Sequence, residues 1–303
     1  MVNLLNIGVL VAFLFILVGC SSGASPRDNY MSGTEGIRMN FVGQNPPGLI
    51  YVDSRFNEPY DIIIEAHNRG TSPSNNIETF FTGFDERIVH VSSLPSFSFT
   101  REGEFRSRFN PEGGYDEGSA QLSVRDLGAI DSYEFPLRLV YCYDYETHAS
   151  IQLCVDPNPH RRSSDDACVP ASVSTSGQGA PVGVSRVEME NMPGRVRLKL
   201  TVQHYGQGEV LSSNAQCRGI PARADEGVIQ FSRPVLGGIQ GECTPDREIK
   251  LRDGRGTIIC TFELPDPEQA AYETVLQVEL FNYMIKDSLQ RNIKIINEDS
   301  TFR

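Results

Sequence analysis

Tryptophan is missing from this 303-residue chain, so recognition of flat sugar faces would have to rest on its 11 tyrosines and 16 phenylalanines. There is no HExxH pair, no Walker loop and no EF-hand loop. Those absences remove the commonest routes to zinc proteolysis, nucleotide hydrolysis and calcium sensing. No CxxC pair and no Cys/His cluster at zinc spacing occurs, and no Asn-x-Ser/Thr sequon is present. Positive charge is scarce: 27 Lys and Arg against 39 Asp and Glu leave a formal net charge of −12. Such a surface repels phosphate backbones, so nucleic acid is not an expected partner. Beyond residue 20 no segment keeps an apolar helical period through three turns, which argues against a helical architecture.

The most informative stretch that is present is residues 4–20, LLNIGVLVAFLFILVGC, followed at once by polar SSGASPRDN. An apolar run of this length is short for a bilayer span and reads as the core of an export signal. Leu17-Val18-Gly19-Cys20 is similar to a prokaryotic lipobox, which makes Cys20 the expected lipidation site and residues 1–19 the expected signal peptide. No Lys or Arg precedes the run, which leaves an uncleaved anchor as the alternative. Either form puts the rest of the chain outside the cytoplasm, held to the cell membrane by its N-terminal anchor.

After residue 20 the dominant period is two. Ile62, Ile64 and Ala66 alternate with Ile63 and Glu65, and Val196, Leu198, Leu200 and Val202 alternate with Arg195, Arg197, Lys199 and Thr201. Half-buried strands read this way, and 27 Gly with 18 Pro break the chain at short intervals, so the fold class is all-β. The halves also repeat. Ile62-x-Ile64-x-Ala66-x-Asn68-x-Gly70 matches Leu198-x-Leu200-x-Val202-x-His204-x-Gly206, and Tyr133-Glu134 with Leu137, Leu139 and Tyr141 matches Tyr272-Glu273 with Leu276, Val278 and Leu280 at nearly the same offset. The expected organisation is two tandem immunoglobulin-like β-sandwiches at residues 34–156 and 182–303. A polar tether at 20–33 precedes them and a linker at 157–181 joins them, with the second sandwich expected to fold alone.

Gly33-Thr34-Glu35-Gly36-Ile37 with Pro46-Pro47, Asn68-Arg69-Gly70, Thr82-Gly83-Phe84-Asp85, Tyr145-Glu146-Thr147, Gly177-Gln178-Gly179-Ala180-Pro181-Val182 and Leu251-Arg252-Asp253-Gly254-Arg255-Gly256 carry a further signal. Taken together they resemble a family of exported, lipoprotein-like archaeal proteins built of tandem Ig-like sandwiches. The resemblance covers nearly the whole chain after the signal. It implies a fold and a surface location, and it brings no activity with it.

Six cysteines follow Cys20, an even set that reads as disulfides in an exported chain. Strand parity turns Cys260 inward and pairs it with Cys243 across the turn at Arg252-Asp253-Gly254-Arg255-Gly256. A hairpin turning at Thr147-His148-Ala149 would set Cys142 opposite Cys154, whereas the family resemblance implies Cys154 with Cys168. Cys142 and Cys217 are then bonded to each other or free.

His67, His90, His148, His160 and His204 are scattered, and Asp165-Asp166 and Asp116-Glu117 are lone acidic pairs, so no metal, no cofactor and no catalytic residue is expected. Tyr141, Tyr143 and Tyr145 share one face with Leu137 and Leu139, which reads as core packing rather than a binding platform. The functional expectation is a non-catalytic, lipid-anchored binding or structural protein of the prokaryotic envelope, with a protein or envelope polymer as partner. The alternative is an accessory subunit of an exported enzyme, transporter or appendage.

Overall fold

The computed structural model describes residues 31–53, 58–125, 127–161 and 165–298. Cys20 and the apolar segment lie outside the described residues. Among those described the fold is all-β, without an α-helix.

The strongest period-two segments form the centres of two small antiparallel sheets. In the first, β3 (Tyr60–Asn68) lies between β1 (Ile37–Phe41) and β7 (Gly114–Val124), and β7 is flanked by β5 (Val89–Val91). In the second, β11 (Arg195–His204) lies between β10 (Val182–Met192) and β18 (Arg255–Glu263), and β18 is flanked by β16 (Glu242–Thr244). The order β1-β3-β7-β5 is thus repeated as β10-β11-β18-β16, with β9 (Val173–Ser174) added outside β10. The two segments matched in the sequence, β3 and β11, occupy the same place in each. Ile62, Ile64 and Ala66, and Val196, Leu198, Leu200 and Val202, are all fully buried.

The third sheet runs through both halves. Its centre is a pair of long antiparallel strands, β8 (Ser132–Val155, 24 residues) and β19 (Tyr272–Asn297, 26 residues), paired from Ser132↔Ile296 to Val155↔Tyr272. On the β8 side the sheet continues through β4 (Ser74–Thr82) to β6 (Phe97–Phe99). On the β19 side it takes β2 (Leu49–Val52), β12 (Glu209–Ser212), β13 (Val228–Phe231) and β14 (Val235–Leu236), with β17 (Glu248–Lys250) on β13 and β15 (Ile239–Gln240) on β14. The first half of β8 meets the second half of β19 beneath the first small sheet, and the second half of β8 meets the first half of β19 beneath the second. One contiguous apolar core therefore extends through both halves of the molecule.

That exchange depends on unbroken alternation in β8. Every second side chain from Phe135 to Val155 is buried, including Thr147, whose hydroxyl reaches Val182 O at 2.7 Å and the Tyr283 hydroxyl at 2.8 Å. The expected turn at Thr147-His148-Ala149 is absent: the buried threonine is satisfied in place, and Glu146 and His148 simply face solvent. In β19 the alternation changes phase once. Leu276, Val278 and Leu280 are buried, then Tyr283, Ile285, Ile293 and Ile295. The register shifts between Leu280 and Tyr283, with Asn282 at φ 53°, and this bulge lets one strand present its apolar side in both halves.

Of residues 157–181, expected as a linker, the stretch 173–181 is packed at the waist. It carries β9, the Gln178 amide brackets Val184 N and O at 2.9 and 3.0 Å, and the Thr71 hydroxyl donates to Gln178 O at 3.1 Å. Short polar side chains and glycines suit such a segment because its backbone groups bond across both halves.

Candidate functional site

The described cysteines form three disulfides. Cys243 and Cys260 stand directly opposite each other on β16 and β18 with Cα atoms 4.1 Å apart. The Asp253-Gly254 turn that follows β17 has both residues at positive φ, 51° and 72°, the conformation a two-residue hairpin needs. Cys154 is bonded to Cys168 and ties residues 165–168 to the end of β8, where Asp166 Oδ1 also accepts the Ala271 N–H at 3.0 Å. Cys142 is bonded to Cys217, 75 residues away, so the Cys142–Cys154 alternative does not occur. This third bond pins the segment after β12 onto the outer side of β8. A small cluster of Cys142, Leu211, Cys217 and Met284 is sealed there under Phe80, and the Arg218 guanidinium lies 5.2 Å from the Phe80 ring centre.

The histidines and acidic pairs are dispersed. His148 lies 3.8 Å from both Glu146 and Glu279 on the exposed side of the long pair, and His67 packs edge-on against Tyr115. His90 contacts Arg125, and His160 is exposed. Asp116 Oδ1 accepts the Glu117 N–H, and Glu117 accepts the Tyr115 hydroxyl at 3.0 Å. Among the described residues no three His, Cys, Asp or Glu side chains gather where they could hold a metal ion.

What the structure does bring together is a cleft of about 490 Å³ at the waist. Its walls come from residues 34–40, from Tyr141 and Tyr143 of β8, from His204 and the turn that follows β11, and from Ile285, Asp287 and Leu289 of β19. Tyr141 and Tyr143 are stacked with centres 6.2 Å apart and planes 11° apart, and Tyr143 meets Tyr145 edge-on at 5.8 Å. Gly36 is where the chain crosses this ladder; a Cβ there would stand 2.9 Å from the Tyr143 hydroxyl. The tyrosines are core residues, and the hydroxyl end of Tyr141 is also the wall of the cleft.

Asp287 organises the polar side. Its Oδ2 accepts the Tyr141 hydroxyl at 3.1 Å and its Oδ1 accepts the Ser288 N–H at 2.7 Å. Burial first, and then the Asp287 carboxylate, push the Tyr141 hydroxyl well above the ordinary tyrosine range, while the Met39 N–H on its oxygen opposes this. Tyr141 therefore stays protonated and bridges edge strand β1 to β19. His204 is held below its ordinary value by burial, with Asp287 opposing. Its Nε2 is buried and has no hydrogen-bond partner among the described residues. Gly206 makes that position possible, since a Cβ there would stand 2.9 Å from Nε2.

The cleft is thus lined by a neutral imidazole, protonated tyrosines, Asp287, and Glu35 paired with Arg38 at 3.1 Å and Arg69 at 3.5 Å. This set can recognise a ligand by hydrogen bonding and charge. A second groove of about 550 Å³ lies near the bulge, between Pro73, Thr100, Asp144, Glu146, Ser213 and Asn282. Neither cleft was visible in the sequence, because each is assembled from segments of both halves; the Asn68/His204 correspondence was the one available signal.

No family model matches the chain and no curated protein matches its sequence. Among solved structures it is similar to the secreted serine protease VesC from Vibrio cholerae, at 6% identity and a TM-score of 0.22. That match covers 82% of this chain and 50% of that one, so this chain spans half the protease's length. It is also similar to the collagen binding domain of the Erysipelothrix rhusiopathiae surface protein RspB, at 8% identity and a TM-score of 0.13, covering 89% of this chain and 99% of that one. At these scores neither likeness defines the fold or the activity.

Proposed function

We propose that the protein is a non-catalytic binding or structural protein of a prokaryotic envelope, lipid-anchored through Cys20 and built of two immunoglobulin-like sandwiches that share their long strands. The observation that carries this reading is the set of three disulfides downstream of an apolar segment ending in Leu17-Val18-Gly19-Cys20. Disulfides persist in oxidising compartments, and the apolar segment supplies both the route there and the anchor. The waist cleft supports recognition: its Asp287 carboxylate is fixed in place by a tyrosine hydroxyl and a backbone N–H, as an oriented acceptor for a ligand.

Changing Cys20 to Ala tests the anchor. Fractionated cells expressing the variant should show the protein released into the soluble fraction or left as unprocessed precursor. A processed Ala variant that still sediments with membranes as the parent does would overturn the lipid anchor.

A further inference from the structure

We propose that residues 287–293 of β19 are a docking edge for a short extended peptide of another protein, one that places a lysine or arginine in the waist cleft. This rests on the binding reading above and names its partner class; it does not depend on lipid at Cys20.

On the side of β19 away from β8, β12 pairs as far as Lys286 and β2 begins at Lys294. Among the described residues the strand between, ~23 Å at about 3.3 Å per residue, has no sheet neighbour on that side. Its hydrogen-bonding parity is fixed by its surroundings. Asn297 N–H donates to Asp131 O on the β8 side, while Lys294 N–H donates to Gly48 O and Asn282 O accepts Ser213 N–H on the other. Even-numbered residues therefore turn their backbone groups toward the gap. The N–H of Ser288 is taken by Asp287 Oδ1, which leaves Ser288 C=O and the N–H and C=O of Gln290 as a short ladder template.

The gap is guarded against indiscriminate pairing. Asp287 and Arg291 place charged groups on the core side of the strand, and Arg291 stacks 4.8 Å over Phe41 while capping Pro46 O and Gly43 O, both at 2.8 Å. Clefts open on both sides of the same short stretch. The waist cleft adjoins Asp287 on the inner side, and a groove of about 400 Å³ between Arg138, Lys286 and Ile220 adjoins Ser288 on the outer. A strand laid along the gap sends alternate side chains into each, the arrangement by which added strands are read. The inner cleft offers Leu289 to an aliphatic stem and the Asp287 carboxylate to a cationic head, while Glu35 is already paired with Arg38 and Arg69. The net charge of −12 draws basic segments in the same sense.

The test selects a phage-displayed library of random linear seven-residue peptides on the full-length protein in detergent, then measures the enriched sequences as synthetic peptides. The expected result is an extended consensus carrying Lys or Arg, with the Gln290 amide slowed in hydrogen exchange when the peptide is bound. Gln290→Pro removes the N–H facing the gap and leaves the β8 ladder whole, so binding should fall roughly tenfold or more, while Gln290→Ala keeps it. Asp287→Asn should erase the preference for a basic residue. The proposal is overturned if no sequence is enriched, if Gln290→Pro binds as the parent does, if acidic peptides win, or if chitohexaose fills the cleft with no change at the Gln290 amide. Should Gln290→Pro not fold, the exchange measurement on the parent decides alone.

Discussion

Asn68 and His204 hold matching places at the ends of β3 and β11, and the structure treats them oppositely. Asn68 is fully buried and fully used: Oδ1 accepts the Gly70 N–H and the Tyr145 hydroxyl, both at 3.1 Å, and Nδ2 donates to Ser72 O at 2.9 Å. His204 Nε2 is buried without such a network and borders the cleft. The sequence repeat showed that the two positions correspond; it did not show which is sealed, because the sealing groups come from β8 and residue 72. The histidine has a measurable consequence. Its folded pKa lies below the unfolded value, so the unfolded chain binds the proton more readily. Stability tied to neutral His204 is complete above the ordinary histidine value of about 6.5 and declines as pH falls through it toward the lowered folded value. Urea midpoints from pH 7.5 to 5 should therefore fall less steeply for His204→Gln than for the parent. Equal slopes would show that His204 is not buried as described.

At the scale of elements, the period-two strands were legible because half-buried strands need no long-range information: β3 and β11 are where the alternation put them. The long strands were not. The sequence leaves a hairpin at Thr147-His148-Ala149 open, and only a contact with Val182 and Tyr283 from other elements explains why a threonine stays buried mid-strand. The β19 bulge was equally hidden, since an apolar run through Leu280, Phe281, Tyr283 and Ile285 does not announce where its phase changes. Asn282 is the device. Its φ of 53° is open to asparagine and glycine and costly to a β-branched residue. Asn282→Gly should leave thermal unfolding within a few degrees of the parent, and Asn282→Val should cost about 1–2 kcal/mol. If Val is tolerated as well as Gly, the bulge is not what sets the phase.

At the scale of the whole molecule, the shared long pair decides whether the halves are separable. Residues 182–303 contain all of β19 and the second small sheet apart from β9, the half that the sequence repeat marks as expected to fold alone. That fragment nevertheless lacks the second half of β8, which lines its core with Ala149, Ile151, Leu153 and Val155, all buried. It also strips the first half of β8 from β19 beyond Ile285, where the buried Ile293 and Ile295 stand opposite Phe135 and Tyr133. Each fully buried Val, Leu or Ile side chain contributes about 1.5–3 kcal/mol, so the loss of the five larger ones is comparable to the whole net stability of a domain, about 5–15 kcal/mol. The fragment should show no cooperative thermal transition and should bind a hydrophobic dye, whereas residues 21–303 should melt in one transition by circular dichroism and calorimetry alike. Mixing the 182–303 fragment with residues 21–181, which carry the missing β8, should restore β structure, because the interface between them is the long pair itself. A sharp independent melt of 182–303, or two well-separated transitions in the longer chain, would show that the strand exchange does not bind the halves into one cooperative unit.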